Sequence, residues 1–163
     1  METNQIISIT EKINFLKNDL IALLQNLNGD EKGTWGLLNS QQMTEHLSDS
    51  FRNYHGLDSK KILTPAEHLP KMKEFLMSEK QFKSNTKNIE MPEIPLPAKH
   101  HDMHSAIEEL KTEINNYFSF FEKNPDSIIT NVFFGELNFE ESIQLLHKHT
   151  LHHLRQFSLI QVN

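Results

Sequence analysis

The sequence predicts an all-α protein, a four-helix bundle of up-down-down-up type with a long, partly helical crossover between helices 2 and 3. Apolar residues recur at three- and four-residue spacing in four long stretches, which is the pattern of amphipathic helices. Five of the six prolines lie between residues 57 and 101, so this region is predicted to be the crossover. The chain has 163 residues, no internal repeat and no low-complexity tract, so we expect one domain over residues 1–163.

The composition limits the classes of partner and chemistry. With 22 acidic and 16 basic residues the formal net charge is −6, so we expect no nucleic-acid partner, which normally requires a basic face. Cysteine is absent, so disulfides and thiol nucleophiles are excluded, and any metal must be bound by His, Asp, Glu or water. No apolar run approaches the length of a membrane span, and the first residues lack the apolar core of a signal peptide. We therefore expect no membrane partner and a cytoplasmic location.

Helix 1 is predicted from about Thr10 to Leu27, with residues 3–9 as a candidate extension. Glu11 near its start and Asn28-Gly29 at its end fit the chemistry of helix boundaries. The apolar stripe consists of Ile13, Leu16, Leu20, Leu23, Leu24 and Leu27. We interpret it as a helix that packs in the core and carries no chemistry.

Helix 2 is predicted to begin at Ser40, a favourable N-cap residue, and to end at Gly56. Its apolar stripe consists of Met43, Leu47, Phe51 and Tyr54. His46 lies on the edge of this stripe and faces inward. A single histidine there is more often a core residue than a metal ligand, so its role depends on whether other histidines converge on it.

The crossover, residues 57–101, is predicted to contain two short helices. Thr64-Pro65-Ala66-Glu67 is a capping-box pattern with proline at the first helical position. A second helix is predicted after Pro70, whereas Glu90 to Pro97 is incompatible with a helix. The crossover either covers a pocket at one end of the bundle or serves only as a connection.

Helix 3 is predicted from about Asp102 or His104 to Lys123, because an apolar stripe covers this stretch and Asn124-Pro125 stops it. Three histidines lie at the proline-rich junction before this helix or in its first turn: His100, His101 and His104. We expect them to be exposed to solvent and not to bind a metal.

Helix 4 is predicted from Asn138, three residues before a Glu, to about Ile160. The preceding residues, 128–135, are predicted to form a short apolar linker that packs against the bundle. One face of helix 4 is expected to reach the core. It carries Ser142, Leu146, His149, His153 and Phe157.

Four histidines lie within seven residues of helix 4. Because residues four apart lie one turn above each other, His149 and His153 can direct their imidazoles to one point. On the helical wheel His147 points away, and His152 lies on the flank as a fallback ligand. A third imidazole, from His46, would complete a site for Zn, Ni, Fe, Co or Mn and would leave the remaining positions to water or substrate. The spacing by itself is equally compatible with structural histidines in a helix.

Two motifs of the sequence resemble a known superfamily. Residues 35–47 read Trp-Gly-Leu-Leu-Asn-Ser-Gln-Gln-Met-Thr-Glu-His-Leu, and Phe-Phe-Gly-Glu-Leu at 133–137 is followed by Lys-His-Thr-Leu-His-His-Leu-Arg-Gln-Phe at 148–157. Both resemble the DinB/YfiT-like metal-binding proteins, in a branch largely of unknown function. The resemblance implies a four-helix bundle in which His46, His149 and His153 bind a divalent metal. Asn131 stands where this branch suggests a His-Pro-like pair, so we expect no ligand from that loop.

The resemblance implies a metal-dependent enzyme, either a transferase that uses a low-molecular-weight thiol or a hydrolase. The alternative is a non-catalytic metal-binding or stress-associated protein, and a helical module that forms a homodimer is compatible with both. Gln156, His152 and Trp35 are predicted to lie behind the ligands or in a substrate pocket. A cavity lined by Trp35, Phe51 or Phe157 would favour an enzyme, whereas a fourth ligand would favour a structural metal. The candidates for that fourth ligand are His152 and His55.

Overall fold

The computed structural model describes residues 6–55 and 60–161, and it is mostly helical with one two-stranded sheet. The elements in chain order are α1 (Ile9–Asn14), a π-helical segment (Phe15–Asp19), α2 (Leu20–Leu24), α3 (Ser40–Arg52), a 3-10 segment (Ala66–His68), α4 (Leu69–Met77), α5 (Met103–Lys123), β1 (Ile129–Asn131), β2 (Gly135–Leu137) and α6 (Phe139–Gln156). The helical character predicted from the sequence is confirmed. Among the residues described, none of the helices has both the length and the hydropathy of a membrane span.

Reciprocal capping boxes begin three of the helices. In each, the N-cap side chain accepts a hydrogen bond from the N3 backbone N–H, and the N3 side chain accepts one from the N-cap N–H. The pairs are Ser8 with Glu11 for α1, Asn39 with Gln42 for α3, and Asn138 with Glu141 for α6. The predicted start of helix 4 is therefore right. The predicted start of helix 2 at Ser40 is right, but its predicted N-cap is wrong: Asn39 is the N-cap, and the Ser40 hydroxyl instead donates to the Asn28 carbonyl.

The first helical region is less regular than predicted. It begins at Ile9 and its last α-helical residue is Leu24, not Leu27, and the five residues Phe15–Asp19 between α1 and α2 are wound as a π-helix. Leu16 and Leu20 are fully buried, so the predicted apolar stripe still faces the core. The predicted extension over residues 3–9 is not helical at residues 6–8, and residues 1–5 lie outside the described part of the chain.

The ends of α3 and α6 also differ from prediction. The α3 helix ends at Arg52, and Gly56, its predicted end, is outside the described residues. The α6 helix ends at Gln156 and not at Ile160. Ser158 has a φ of 58°, its N–H donates to the Arg155 carbonyl, and the Leu159 N–H donates to the Leu154 carbonyl. These are the two bonds of a Schellman motif, which stops a helix, and here serine occupies the left-handed position that glycine usually fills.

The residues predicted to form a short linker, 128–135, pack against the core as predicted, but they belong to a β-hairpin over residues 129–137 and not to an irregular connection. Strands β1 and β2 are antiparallel, and Ile129 pairs with Leu137. The Asn131 side chain organises the turn: its Oδ1 accepts hydrogen bonds from the N–H groups of Phe133 and Phe134 at 2.8 and 3.0 Å. Its Nδ2 donates to the Tyr54 hydroxyl at 2.7 Å, which joins the hairpin to the end of α3. Asn131 therefore has a structural role.

The crossover contains fewer helical residues than the capping pattern predicted. A 3-10 turn, Ala66–His68, follows Pro65, and the Thr64 hydroxyl donates to the Phe133 carbonyl at 2.7 Å and does not cap a helix. The predicted second helix is α4, which begins at Leu69, and residues 90–97 are not helical, as predicted.

The end of the crossover is attached to α3 by three polar side chains. The Glu45 carboxylate accepts the backbone N–H groups of Lys99 and His100 at 2.8 and 3.0 Å. Gln41 donates to the carbonyl of His100 at 2.6 Å, and Gln42 donates to a backbone carbonyl of the crossover at 2.8 Å. The Glu45 carboxylate therefore holds the end of the crossover against α3.

The core fills the space between α3, α5, α6 and the first helical region. The α3 helix packs along α5, and α6 contacts α1, α3, α4 and β2. The largest fully buried side chains include Leu16, Met43, Phe51, Leu110, Tyr117, Ile143 and Leu146. Since α6 has neighbours on several sides, even its polar residues are buried, among them Gln144, His147, Lys148, His153 and Gln156. This burial sets the chemistry of the histidines on α6.

Candidate metal centre

Three imidazoles converge between α3 and α6. The Nε2 atom of His149 lies 3.0 Å from Nε2 of His46 and 3.0 Å from Nε2 of His153. The ring centroids are 4.7 to 5.0 Å apart, and the rings meet at steep angles. One nitrogen from each ring lies within 4.8 Å of the other two, which is the spacing of a metal-ligand set. The structure thus brings together the three histidines that the sequence singled out.

Gln156 determines which nitrogen of His153 carries its proton. The Gln156 amide nitrogen lies 2.9 Å from the carbonyl oxygen of Trp35, which can only accept a hydrogen bond, so this end must be the NH₂ group. The amide oxygen of Gln156 then faces Nδ1 of His153 at 2.7 Å, and Nδ1 must be the donor. In the neutral ring, Nε2 of His153 therefore carries a lone pair directed toward His149.

Ser50 fixes His149 in the same tautomer. The Ser50 hydroxyl donates its one proton to the carbonyl oxygen of His46 at 3.0 Å. The Ser50 oxygen then accepts from Nδ1 of His149 at 3.3 Å, which leaves a lone pair on Nε2. Two lone pairs consequently face each other across 3.0 Å, on the Nε2 atoms of His149 and His153. This arrangement is repulsive unless a positive charge lies between or beside them.

Burial makes a proton a poor source of that positive charge. Burial, together with neighbouring imidazoles, lowers the pKa of His153 to about 3 although its hydrogen bond to Gln156 opposes the shift, and burial and neighbouring imidazoles hold the pKa of His149 well below its usual value. Burial also lowers the pKa of His46, partly offset by the Asp49 carboxylate. All three rings are therefore neutral near pH 7, which is the form that binds a metal.

The spacing of the nitrogens fits a divalent cation. Metal–nitrogen bonds of about 2.0–2.1 Å separate two ligand nitrogens by about 3.0 Å at a right angle and by about 3.4 Å at the tetrahedral angle. The observed 3.0 Å matches the first value and differs from the second by a few tenths of an ångström. Two of the three nitrogen pairs thus already have the spacing that one ion requires, and all three nitrogens lie within 4.8 Å of one another.

Glycine is required at position 36 because the Gln156 amide passes close to its backbone. Gly36 has a φ of +74°, and a Cβ there would lie 2.8 Å from the Gln156 side-chain nitrogen. A Cβ on Gly33 would lie 2.8 Å from Cγ of Gln156. The Thr34 N–H also donates to the Gln156 carbonyl at 2.7 Å. Residues 33–36 are thus held against the C-terminal end of α6, a contact that the sequence analysis missed although it noted Trp35 and Gln156 separately.

Neither of the two candidates for a fourth ligand, His152 and His55, joins the cluster. The His152 ring packs against Trp35 and Phe82, with centroid distances of 5.6 and 6.0 Å, and burial lowers its pKa. His55 lies 3.2 Å from the Glu113 carboxylate on α5. Across residues 6–55 and 60–161, the ligand cluster contains three histidines and no carboxylate.

Four further histidines that the sequence analysis considered also lie outside the cluster. His147 lies on a different face of α6, edge-on to Phe15, and burial lowers its pKa to about 4. His100 pairs with Glu109 at 2.8 Å. His101 and His104 are exposed, as expected from the sequence.

A cavity lined by Trp35, Phe51 or Phe157 was the feature that would favour an enzyme, and two of these three residues pack in the core. Phe51 is fully buried against Tyr117, and Phe157 is 7% exposed, so neither offers a surface to a substrate. Trp35 is partly exposed beside His152. A cavity of about 480 Å³ lies elsewhere, between α1 and α6, and is lined by Phe15 and His147 but by none of the three clustered histidines.

Comparisons of this chain with protein-family models, with curated proteins and with solved structures found no match. The assignment of the site therefore rests on the geometry of the three imidazoles and on the hydrogen bonds that orient them.

Proposed function

We propose that this protein is a metal-dependent enzyme that binds one divalent metal ion through His46, His149 and His153. The observation that carries the proposal is the pair of 3.0 Å contacts among three Nε2 atoms. The hydrogen bonds that Nδ1 of His153 donates to Gln156 and Nδ1 of His149 donates to Ser50 support it, because they leave a lone pair on each Nε2 atom. Neutral imidazoles suit Zn, Ni, Fe, Co or Mn.

The ligand count supports a catalytic centre. Structural zinc sites are usually closed by four protein ligands, whereas catalytic ions keep a position for water or substrate. The cluster in the described part of the chain supplies three. A bound ion would act as a Lewis acid that activates water or a low-molecular-weight thiol. The candidate activities are accordingly thiol transfer and hydrolysis. A substrate would contact His152, which lies beside His153, and Trp35, which packs against His152.

The proposal includes a DinB/YfiT-like four-helix bundle and a location in the cytoplasm. Four helical regions are long enough for such a bundle, namely residues 9–24, 40–52, 103–123 and 139–156. The two sequence motifs that resemble this superfamily contact each other through Trp35 and Gln156, as parts of one functional unit would. The sequence also predicts that the protein has no nucleic-acid or membrane partner and that it can form a homodimer, and these points stay predictions.

A non-catalytic metal-binding protein is the second candidate. The observation that favours it is the composition of the site: no carboxylate joins the cluster among the residues described. Glu45, the nearest acidic residue in sequence to His46, holds the crossover instead. An enzyme with this site would have no carboxylate as general base, so the base would have to come from the substrate or from a histidine that is not a ligand.

Elemental analysis of protein purified without a histidine tag tests the metal site. We expect one equivalent of metal in the unmodified protein and none in His149→Ala, because His149 makes both 3.0 Å contacts. The control is His101→Ala, which removes an exposed imidazole outside the site and should leave the metal content unchanged. Both variants should stay helical by circular dichroism. Full metal occupancy in His149→Ala would refute the assignment.

Activity assays separate the two candidate functions. The metal-loaded protein is tested for thiol transfer to an electrophile and for ester and amide hydrolysis. An activity that is lost on chelation and restored by metal supports the enzyme. A fully loaded protein that is inactive in every assay supports the non-catalytic alternative.

A further inference from the structure

A cleft between α1, α6 and the segment that follows α4 concentrates positive charge in an acidic protein. Its lining includes four cationic side chains and one carboxylate: Lys12, Lys80, Lys148, Arg155 and Glu79. None of the three clustered histidines lines it. On α6 it is lined by Gln144, His147, Lys148, Leu151 and Arg155, which share one helix face, about 160° away from the face of His149 and His153. The cleft is therefore separate from the candidate metal centre.

Two of the cations are buried and keep unused hydrogen-bond donors. Lys12 donates to the Glu79 carboxylate at 2.8 Å and to the Gln144 amide oxygen at 2.7 Å, and is 3% exposed. Lys148 is 6% exposed and donates to the carbonyl oxygens of Ser78, at 2.7 Å, and Lys80. An ammonium has three N–H donors, so each lysine has one more than these contacts use.

Arg155 has the least satisfied side chain of the cleft. Its Nε atom is buried and has no hydrogen-bond partner among the residues that the structure describes. Glu79 is the single carboxylate in the lining, and it is already bonded to Lys12. A guanidinium presents five donors in a planar fork that matches the oxygens of a carboxylate or phosphate. The charge balance of four cations against one anion leaves an excess of positive charge around these donors.

We propose that this cleft binds a small phosphate-class oxyanion, with Arg155 as the principal donor and Lys80 at the mouth. A phosphate dianion offsets more of the excess charge than a monoanion does, and its oxygens match the guanidinium fork. The cleft encloses only about 20 Å³, so the anion sits at its entrance and not in the interior. The proposal does not depend on the metal centre.

Calorimetric titration with inorganic phosphate at constant ionic strength tests this site. We expect saturable binding of one phosphate, weakened by about tenfold or more in Arg155→Gln and less strongly in Lys80→Gln. Lys71→Gln removes an exposed lysine outside the cleft and is the matched control. Because phosphate also binds metals, His149→Ala is titrated in parallel and should bind phosphate as tightly as the unmodified protein.

A parallel titration with glycerol phosphate distinguishes free phosphate from a phosphate monoester as the preferred ligand. Tighter binding of the monoester would place an organic group at the mouth of the cleft, and tighter binding of inorganic phosphate would assign the free ion. The proposal is overturned by any of three results: no saturable binding of either probe, binding that Arg155→Gln leaves unchanged, or binding that is lost in His149→Ala. Circular dichroism of Arg155→Gln establishes that the variant is folded.

Discussion

Replacing Gln156 with alanine tests the hydrogen bonds that orient the candidate metal ligands. Gln156 is 4% exposed, accepts from Nδ1 of His153 at 2.7 Å and donates to the Trp35 carbonyl at 2.9 Å. Without it, His153 can exchange tautomers and place the proton on Nε2, where the lone pair is needed. We expect metal affinity to fall although all three ligands remain.

The structure allows the size of both effects to be worked out. Loss of a partner that orients a metal-bound histidine typically lowers affinity by about 10- to 100-fold, which corresponds to about 1.4–2.7 kcal/mol. The metal-free protein also loses stability, because Nδ1 of His153 and the Trp35 carbonyl lose their partner in a buried place. A buried polar group without a partner costs about 1–3 kcal/mol.

The assay is competition for metal against a chromophoric chelator, combined with urea unfolding of the metal-free protein. Gln144→Ala is the matched control, because Gln144 is an equally buried glutamine of α6 with two side-chain hydrogen bonds, to Lys12 and to the Ser78 carbonyl. It should lose similar stability and keep its metal affinity. Unchanged metal affinity in Gln156→Ala would refute the reasoning about the tautomer of His153. An equal loss of affinity in both variants would show a general effect of destabilisation.

Two further predictions concern backbone strain and pH. Gly36→Ala should lower stability by about 1–2 kcal/mol, because φ is +74° and the new Cβ would press on the Gln156 amide, and it should also weaken metal binding; unchanged urea unfolding would contradict this. Burial raises the pKa of Tyr54 to about 12 and raises that of Tyr117 as well, and these are the only two tyrosines of the chain. The folded protein should thus show no phenolate absorbance at a pH where the unfolded chain, with pKa values of about 10, is ionised. Stability should be unaffected below pH 10 and should fall above it by up to about 1.4 kcal/mol per group and pH unit, since the unfolded state loses protons that the folded state keeps; phenolate absorbance of the folded protein near pH 10 would contradict this.

Features encoded by neighbouring residues were predicted well. The start of α6 follows from Asn138 and Glu141, whose capping box involves only residues three apart. The absence of a helix over residues 90–97 follows from the geometry of proline. Where two adjacent residues both suit the N-cap, the sequence is ambiguous, and Asn39 was missed in favour of Ser40.

Features that depend on partners distant in sequence were missed. The hairpin at 129–137 was missed because this apolar stretch does not alternate between apolar and polar residues as a strand usually does. The hairpin depends on Asn131, whose side chain hydrogen-bonds both to its own turn and to Tyr54. The end of α6 was missed because Ser158, and not glycine, takes the left-handed position. Burial of His147 and Lys148 required knowledge of how many neighbours surround α6.

The sequence by itself determined the helical segments, several of their caps and the placement of His149 and His153 on one helix face, because periodicity and capping act within one or two turns. Only the tertiary structure decided that His46 joins them, at 3.0 Å from His149, since that distance depends on how α3 packs against α6. It also decided the direction of their lone pairs, because Gln156 is oriented by a carbonyl that lies 121 residues away in the chain. Helix periodicity places two of the candidate ligands on one face, and the packing of segments distant in sequence brings the third ligand and the orienting hydrogen bonds to them.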